Sequence, residues 1–189
     1  MKILVTRHGQ TDWNVLGKLQ GQTDTELNDV GREQARETRN LIKNEKIDLI
    51  ITSPSKRAKE TAQIINENFN VAIIEDSRLM ERKFGVFEGT TKNERKLLKE
   101  TNPEINYVWD YNKNISIKDM ETMKDFCNRV YEFFDEIIKK YNDKNILIVT
   151  HGGVSVAVKC YFMRHHLEEF EDREKIKGLK NCEIAEFVI

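Results

Sequence analysis

Three short apolar runs, Ile3-Leu4-Val5, Leu49-Ile50-Ile51 and Ile146-Leu147-Ile148-Val149, are β-rich at every position rather than at every second one. Such runs predict strands buried on both faces, as in a mainly parallel sheet covered by helices. Val71 to Ile74 and Ile184 to Val188 supply a fourth and a fifth candidate strand. Between them, apolar residues return at helical period. One stretch carries Leu27, Val30, Ala35, Thr38, Leu41 and Ile42; another carries Met123, Phe126, Cys127, Val130, Phe134, Ile137, Ile138 and Tyr141. The alternation predicts an α/β fold, a three-layer sandwich with a mainly parallel central sheet flanked by helices. Asn28-Asp29 places a cap and an acid before the first long helix, and Ser53-Pro54 offers a cap with proline at the first helical position.

A length of 189 residues without repeats or Gly/Ser-rich linkers predicts one domain over 1–189. Residues 103–118, with Pro103, Tyr107, Trp109 and several asparagines, read as an irregular loop, and 103–122 as a substrate wall. Lys+Arg 31 and Asp+Glu 32 cancel to a net charge of -1, so no overall basic field recruits nucleic acid or a membrane surface, and anion binding must be local. The apolar stretch at the N-terminus is too short for a signal peptide or a membrane span, which predicts a cytoplasmic protein. Cys127, Cys160 and Cys182 are an odd number without a Cys-x-x-Cys pair and read as buried thiols rather than a disulfide framework or a zinc site. His165-His166 are neighbours that would not face the same way on a helix, so they are read as a helix-end or surface pair and no metal is assigned. Arg95-Lys96 to Lys99 read as a solvated helix face.

The polar residues that end the strand runs carry the chemistry. Arg7-His8-Gly9 follows the first, Ser53 to Arg57 the second, and Thr150-His151-Gly152-Gly153 the late one. Carboxyl ends of parallel strands share one edge, where ligands bind, so His8, His151, Arg7 and Arg57 are expected to converge. Guanidinium forks match phosphate oxygens, helix N-termini add N–H donors, and a neutral imidazole nitrogen can attack phosphorus. Either histidine alone would read as a structural, hydrogen-bonded residue; the four together point to phosphoryl transfer. To attack, His8 needs one nitrogen bare and the other N–H held, and a backbone carbonyl close to Gly9 is the expected acceptor.

The run Arg7-His8-Gly9-Gln10-Thr11-Asp12-Trp13-Asn14, continued by Gln20-Gly21, Asp24, Leu27 and Gly31, resembles the signature of the histidine phosphatase superfamily, also called phosphoglycerate mutase-like. Ser53 to Arg57 with Ala58 and Thr61 is similar to its second arginine element. Glu81 with Gly85, Glu88 and Gly89 is similar to its acidic element, and His151-Gly152 to its second histidine. The resemblance implies a phosphoglycerate mutase-like fold in which His8 attacks phosphorus. Arg7, Arg57 and His151 would hold the phosphoryl oxygens, and Glu81 would give a proton to the leaving alcohol. Asn14, Gln20, Gly21, Arg82 and Gly152 would complete a substrate-binding set, although Gly21 also reads as a plain turn glycine. A small phosphate ester is the implied partner, and no cofactor is implied.

Ser55, two before the second arginine, replaces the family's usual apolar residue, and Met120-Glu121-Thr122 replaces its Gly-Glu-Ser loop. Phosphatases and cofactor-dependent phosphoglycerate mutases share the first half-reaction. The segment from Glu94 to Met123 lacks the mutases' adjacent arginines and offers Tyr107, Trp109 and Tyr111, which suits a phosphatase with a less densely charged leaving group. Arg82 and Lys92 resemble basic positions of mutases, which stay the alternative. An inactive phospho-ligand module would have no need of His8 or Glu81.

Overall fold

A computed structural model describes residues 1–108, 110, 112, 113, 115, 117–163 and 176–189. Strands β1 (Lys2–Arg7), β2 (Leu49–Thr52), β3 (Ile73–Glu75), β4 (Ile146–Thr150) and β5 (Ile184–Val188) form one sheet in the order β3-β2-β4-β1-β5. The first four are parallel, and β5 runs antiparallel to β1. The three unbroken apolar runs are the three central strands, as burial on both faces requires. Ile3, Val5, Leu49, Ile51, Ile146 and Ile148 face one way, toward α5 (Met123–Lys140) and α6 (Gly152–Met163). Leu4, Ile50, Leu147 and Val149 face the other, toward α3 (Lys56–Asn66). The short α1 (Asp12–Val15) follows β1, and α2 (Asp29–Leu41) packs on α3 in that same layer. The layers are helix, sheet and helix.

Local signals fix most element ends. The Asn28 side chain accepts the Gly31 N–H at 2.9 Å and starts α2. Helix α5 buries Met123, Phe126, Cys127, Val130, Phe134 and Ile137 of the predicted stripe, with Phe133 added, while Ile138 and Tyr141 are half-buried against the same core. Helix α3 starts later than Ser53-Pro54 suggests: its N-cap is Ser55, without a side-chain capping bond. The Ser53 hydroxyl is engaged elsewhere, 2.8 Å from His151 Nε2. The third strand begins at Ile73 rather than Val71, because the Asn66 side chain pairs with both the N–H and the carbonyl of Val71. The stretch expected to be irregular opens with a 3-10 turn, Pro103–Tyr107, preceded by α4 (Lys92–Thr101).

A satellite core of Phe84, Phe87, Ile105, Val108 and Met120, joined by Leu19 and Leu98, ties this turn and α4 to the body. The three cysteines are buried, and among the described residues they form no disulfide. Among the described residues, no helix is long and apolar enough to cross a membrane.

Candidate active site

A cavity of about 790 Å³ opens over the carboxyl ends of β1, β2 and β4. Among the residues lining it are Arg7, His8, Arg57 and His151, brought together from the ends of those three strands. Asn14, Gln20, Gly21, Glu81, Arg82 and Gly152 line it as well, so all ten candidate residues surround one space.

Two glycines let the loop after β1 seat itself. A Cβ on Gly9 would lie 2.3 Å from the Gly31 carbonyl oxygen, and one on Gly31 would lie 2.1 Å from that of Gln10. The loop therefore rests backbone against backbone on the start of α2. His8 is 2% exposed, and its Nδ1 lies 2.7 Å from the Gly9 carbonyl oxygen. A carbonyl only accepts, so Nδ1 of the neutral ring carries the proton and Nε2 keeps a lone pair. Burial, then Arg57 and Arg7, hold the His8 pKa well below the usual histidine value, outweighing the Gly9 carbonyl.

The His151 ring centroid is 5.2 Å from that of His8. His151 Nδ1 lies 3.3 Å from Arg57 Nη2, and its Nε2 lies 2.8 Å from the Ser53 hydroxyl and 3.4 Å from that of Ser55. Since a guanidinium only donates, Nδ1 accepts and Nε2–H donates to Ser53. Burial and then Arg57 push the His151 pKa well down as well.

Arg57 is fully buried, and burial lowers its pKa to about 10. It donates to the carbonyls of Gly21 at 2.8 Å and Thr23 at 2.9 Å. Gly21 has φ +56, and a Cβ there would strike the Glu88 carboxylate at 2.2 Å. Arg7 donates to the Leu179 carbonyl at 3.2 Å. Among the described residues, the Nε atoms of both arginines are buried without a protein hydrogen-bond partner. Such N–H groups are costly to leave unmet, and an oxyanion is an acceptor that would suit them.

Glu81 caps α6: its Oε2 accepts the Gly153 N–H at 2.8 Å, and its Oε1 accepts the Arg82 N–H at 2.9 Å. A Cβ on Gly153 would stand 2.4 Å from Oε1, so this glycine makes room for the carboxylate. Arg82 is buried, with Nε donating to the Glu121 carbonyl at 2.9 Å and its guanidinium over Phe84. The Asn14 side-chain Oδ1 is committed to the Thr11 N–H at 3.1 Å and the Asn181 amide at 3.3 Å. The Gln20 side-chain Oε1 is committed to the Thr25 hydroxyl at 2.6 Å.

Two expectations about the outer wall are corrected. Lys92, Arg95, Lys96 and Lys99 line the cavity, so α4 is not merely a solvated face. Tyr107 does not line it: the ring is 43% exposed, with Lys113 Nζ 3.2 Å from its centroid. The apolar lining comes instead from residues such as Phe84, Ile105, Val108 and Met120, because the 3-10 turn rotates Tyr107 outward. Trp109, Tyr111 and His165-His166 lie outside the described residues. Sequence reasoning also missed Ser53 as a partner of His151, and Asn181, whose amide donates to the His8 carbonyl at 2.9 Å. No motif signals either role. Among the described residues, no three His, Cys, Asp or Glu side chains gather as a metal site.

Known proteins carry the same pattern. That of the histidine phosphatase superfamily (branch 1) matches residues 3–189. The uncharacterized phosphatase PhoE of Bacillus subtilis is 39% identical over 184 residues, covering 97% of this chain and 89% of that protein. A metal-independent phosphoserine phosphatase of Arabidopsis thaliana is 34% identical over 161 residues, covering 83% of this chain and 66% of that one. Among solved structures, the alpha-ribazole phosphatase of Shigella flexneri superposes with a TM-score of 0.86 at 25% identity, over 100% of this chain and 91% of that chain. From its first strand to its last, the chain belongs to the histidine phosphatase superfamily, branch 1.

Proposed function

We propose that this chain is a metal-independent phosphomonoesterase that hydrolyses a small phosphate ester through a phosphohistidine on His8. The observation that carries the reading is the state of the His8 ring: neutral, tied at Nδ1 to the Gly9 carbonyl, with the Nε2 lone pair left free inside a cavity lined by Arg7 and Arg57. In the first step Nε2 forms a bond to phosphorus as the P–O bond to the alcohol breaks, and Glu81 gives the departing oxygen a proton. In the second, Glu81 takes a proton from water as the water oxygen bonds to phosphorus, and the P–N electron pair returns to Nε2. Charge on the equatorial oxygens meets Arg7, Arg57 and the N-terminus of α6, fixed cations and donors that need no reorganisation. Phosphatases among the relatives support hydrolysis over transfer to a second phosphorylated acid.

The decisive experiment follows a chromogenic phosphate ester in the presence of a chelator. The wild type turns it over and vanadate inhibits it, whereas His8→Ala, still folded by circular dichroism, loses at least about a thousandfold. An alkaline quench of the wild type during turnover traps phosphate on His8. Full activity in the folded variant, or activity restored only by added metal, overturns the reading. A parallel assay for 2- and 3-phosphoglycerate interconversion decides between phosphatase and mutase.

A further inference from the structure

Residues 178–182, which precede β5, are laid against the ends of β1 and α6 that carry the site. The Leu179 N–H donates to the Ser155 hydroxyl at 2.9 Å, and a Cβ on Gly178 would stand 2.7 Å from the Gly152 carbonyl oxygen, so the chain runs in contact with the first turn of α6. Toward β1, the Leu179 carbonyl accepts from Arg7 Nη1 at 3.2 Å, and the Cys182 N–H donates to the Arg7 carbonyl at 2.9 Å. The Glu183 N–H donates to the Lys180 carbonyl at 3.1 Å, closing a turn in which Cys182 sits at φ +58, a region that favours glycine. Holding a cysteine there is costly, and the bonds to Arg7 and, through the Cys182 carbonyl, to the Thr38 hydroxyl at 3.1 Å oppose that cost. The turn carries the Asn181 side chain to the loop after β1.

The direction of each contact made there is fixed. The His8 backbone carbonyl only accepts, so the Asn181 atom 2.9 Å from it is the amide Nδ2. The same Nδ2 lies 3.3 Å from the Asn14 side chain, which must present its oxygen; the Thr11 N–H, 3.1 Å from that Oδ1, requires the same. With Oδ1 turned to Asn181 and Thr11, the polar atom that Asn14 has left for the cavity it lines is Nδ2, a donor that no protein acceptor engages among the described residues. One amide nitrogen thus bridges the residue that bears the nucleophile and a donor on the wall of the phosphoryl cavity.

We infer that Asn181 is a positioning residue for phosphoryl transfer: it ties the His8 backbone to the Asn14 side chain, so that His8 Nε2 and Asn14 Nδ2 face one phosphorus together. Asn181 itself is not among the residues lining the cavity, so it acts through its two partners. This rests on the phosphate-ester reading of the His8 site. Rates are sensitive to such alignment, since a displacement of about 1 Å can cost about a hundredfold.

A double-mutant cycle on the hydrolysis of p-nitrophenyl phosphate tests the inference, with Asn181→Ala, Asn14→Ala and the two combined. Asn181→Ala is expected to lower kcat/KM by about thirtyfold, but by no more than about fivefold when Asn14 is already alanine, because one of the two groups it aligns is then gone. Asn181→Asp keeps the shape but at neutral pH turns oxygens alone toward two acceptors, and should lose at least as much as Asn181→Ala. Circular dichroism and urea midpoints show that each variant is folded under the assay conditions; should Asn181→Ala not fold, the cycle is read with Asn181→Asp. An equal loss in both Asn14 backgrounds reduces Asn181 to a structural part of the turn and overturns the inference. Full activity in either folded Asn181 variant, with His8→Ala inactive, overturns it too while leaving the His8 site intact. Full activity in folded His8→Ala removes the reading of that site and the inference with it.

Discussion

A carboxylate that caps a helix and a carboxyl that protonates a leaving group look alike in a static structure, and Glu81 is placed for both. Its Oε2 accepts the Gly153 N–H at 2.8 Å, which is a capping contact, yet it does so on the lining of the His8 cavity. The substitution Glu81→Gln separates the two, because an amide oxygen still accepts the N–H but the side chain has no acidic proton to give. Since kcat/KM reports only steps up to phosphorylation, the effect should follow the leaving group. An alkyl phosphate, which needs the proton, is expected to lose about a hundredfold or more, and p-nitrophenyl phosphate, whose phenolate departs unaided, only a few-fold. Equal losses on both esters would reduce Glu81 to its capping role. In the sequence this residue stands beside Arg82 and Lys83 and, apart from the family resemblance, reads as a surface carboxylate. The glycine that makes room for it lies 72 positions away, a distance that no local pattern spans.

At the scale of elements, the site is assembled by loops that fasten one another. The Glu88 carboxylate accepts the N–H groups of Gln22 at 3.1 Å, Thr23 at 2.8 Å and Phe84 at 2.9 Å, joining the 20–23 turn to the segment after Glu81. The same turn presents the Gly21 and Thr23 carbonyls that hold Arg57. Glu88 is thus a positioning residue for a guanidinium that it does not touch. Glu88→Ala should destabilise the fold by about 3 kcal/mol, read by urea unfolding, because several N–H groups lose a charged acceptor. It should also lower kcat/KM by a similar factor for good and poor leaving groups, and Glu88→Gln should recover part of both. Unchanged kinetics in a destabilised Glu88→Ala protein would break the link to Arg57. The central strands were legible because burial on both faces leaves an unbroken apolar run, and α5 because its stripe holds for eighteen residues. The start of α3 was not, since Ser53 could cap a helix or meet His151, and only the tertiary fold chooses. Nor was the cavity wall: a lysine stripe reads as solvated until α4 is seen to be anchored by Leu98.

For the molecule as a whole, balanced composition conceals a separation of charge. A chain of net charge -1 gathers arginines and lysines around one cavity and keeps two imidazoles neutral at its base. Keeping them neutral links stability to pH. In the folded protein, burial with Arg57 holds His8 and His151 well below the value of about 6.5 that they regain on unfolding. The unfolded chain therefore binds more protons once pH drops below that value. The stability from these groups is complete above about 6.5 and declines as pH falls toward their folded values, by up to about 1.4 kcal/mol per pH unit for each histidine. Asp48, held low chiefly by the Asn145 N–H, acts in a separate window below about 4. Urea midpoints measured from pH 7.5 to 5 at constant ionic strength should fall steeply for the wild type and much less for His8→Asn/His151→Asn, which has no imidazole to charge. Parallel slopes in the two proteins would mean that both rings already accept protons in the folded state. In that case His8 would lack the free lone pair from which the whole reaction starts.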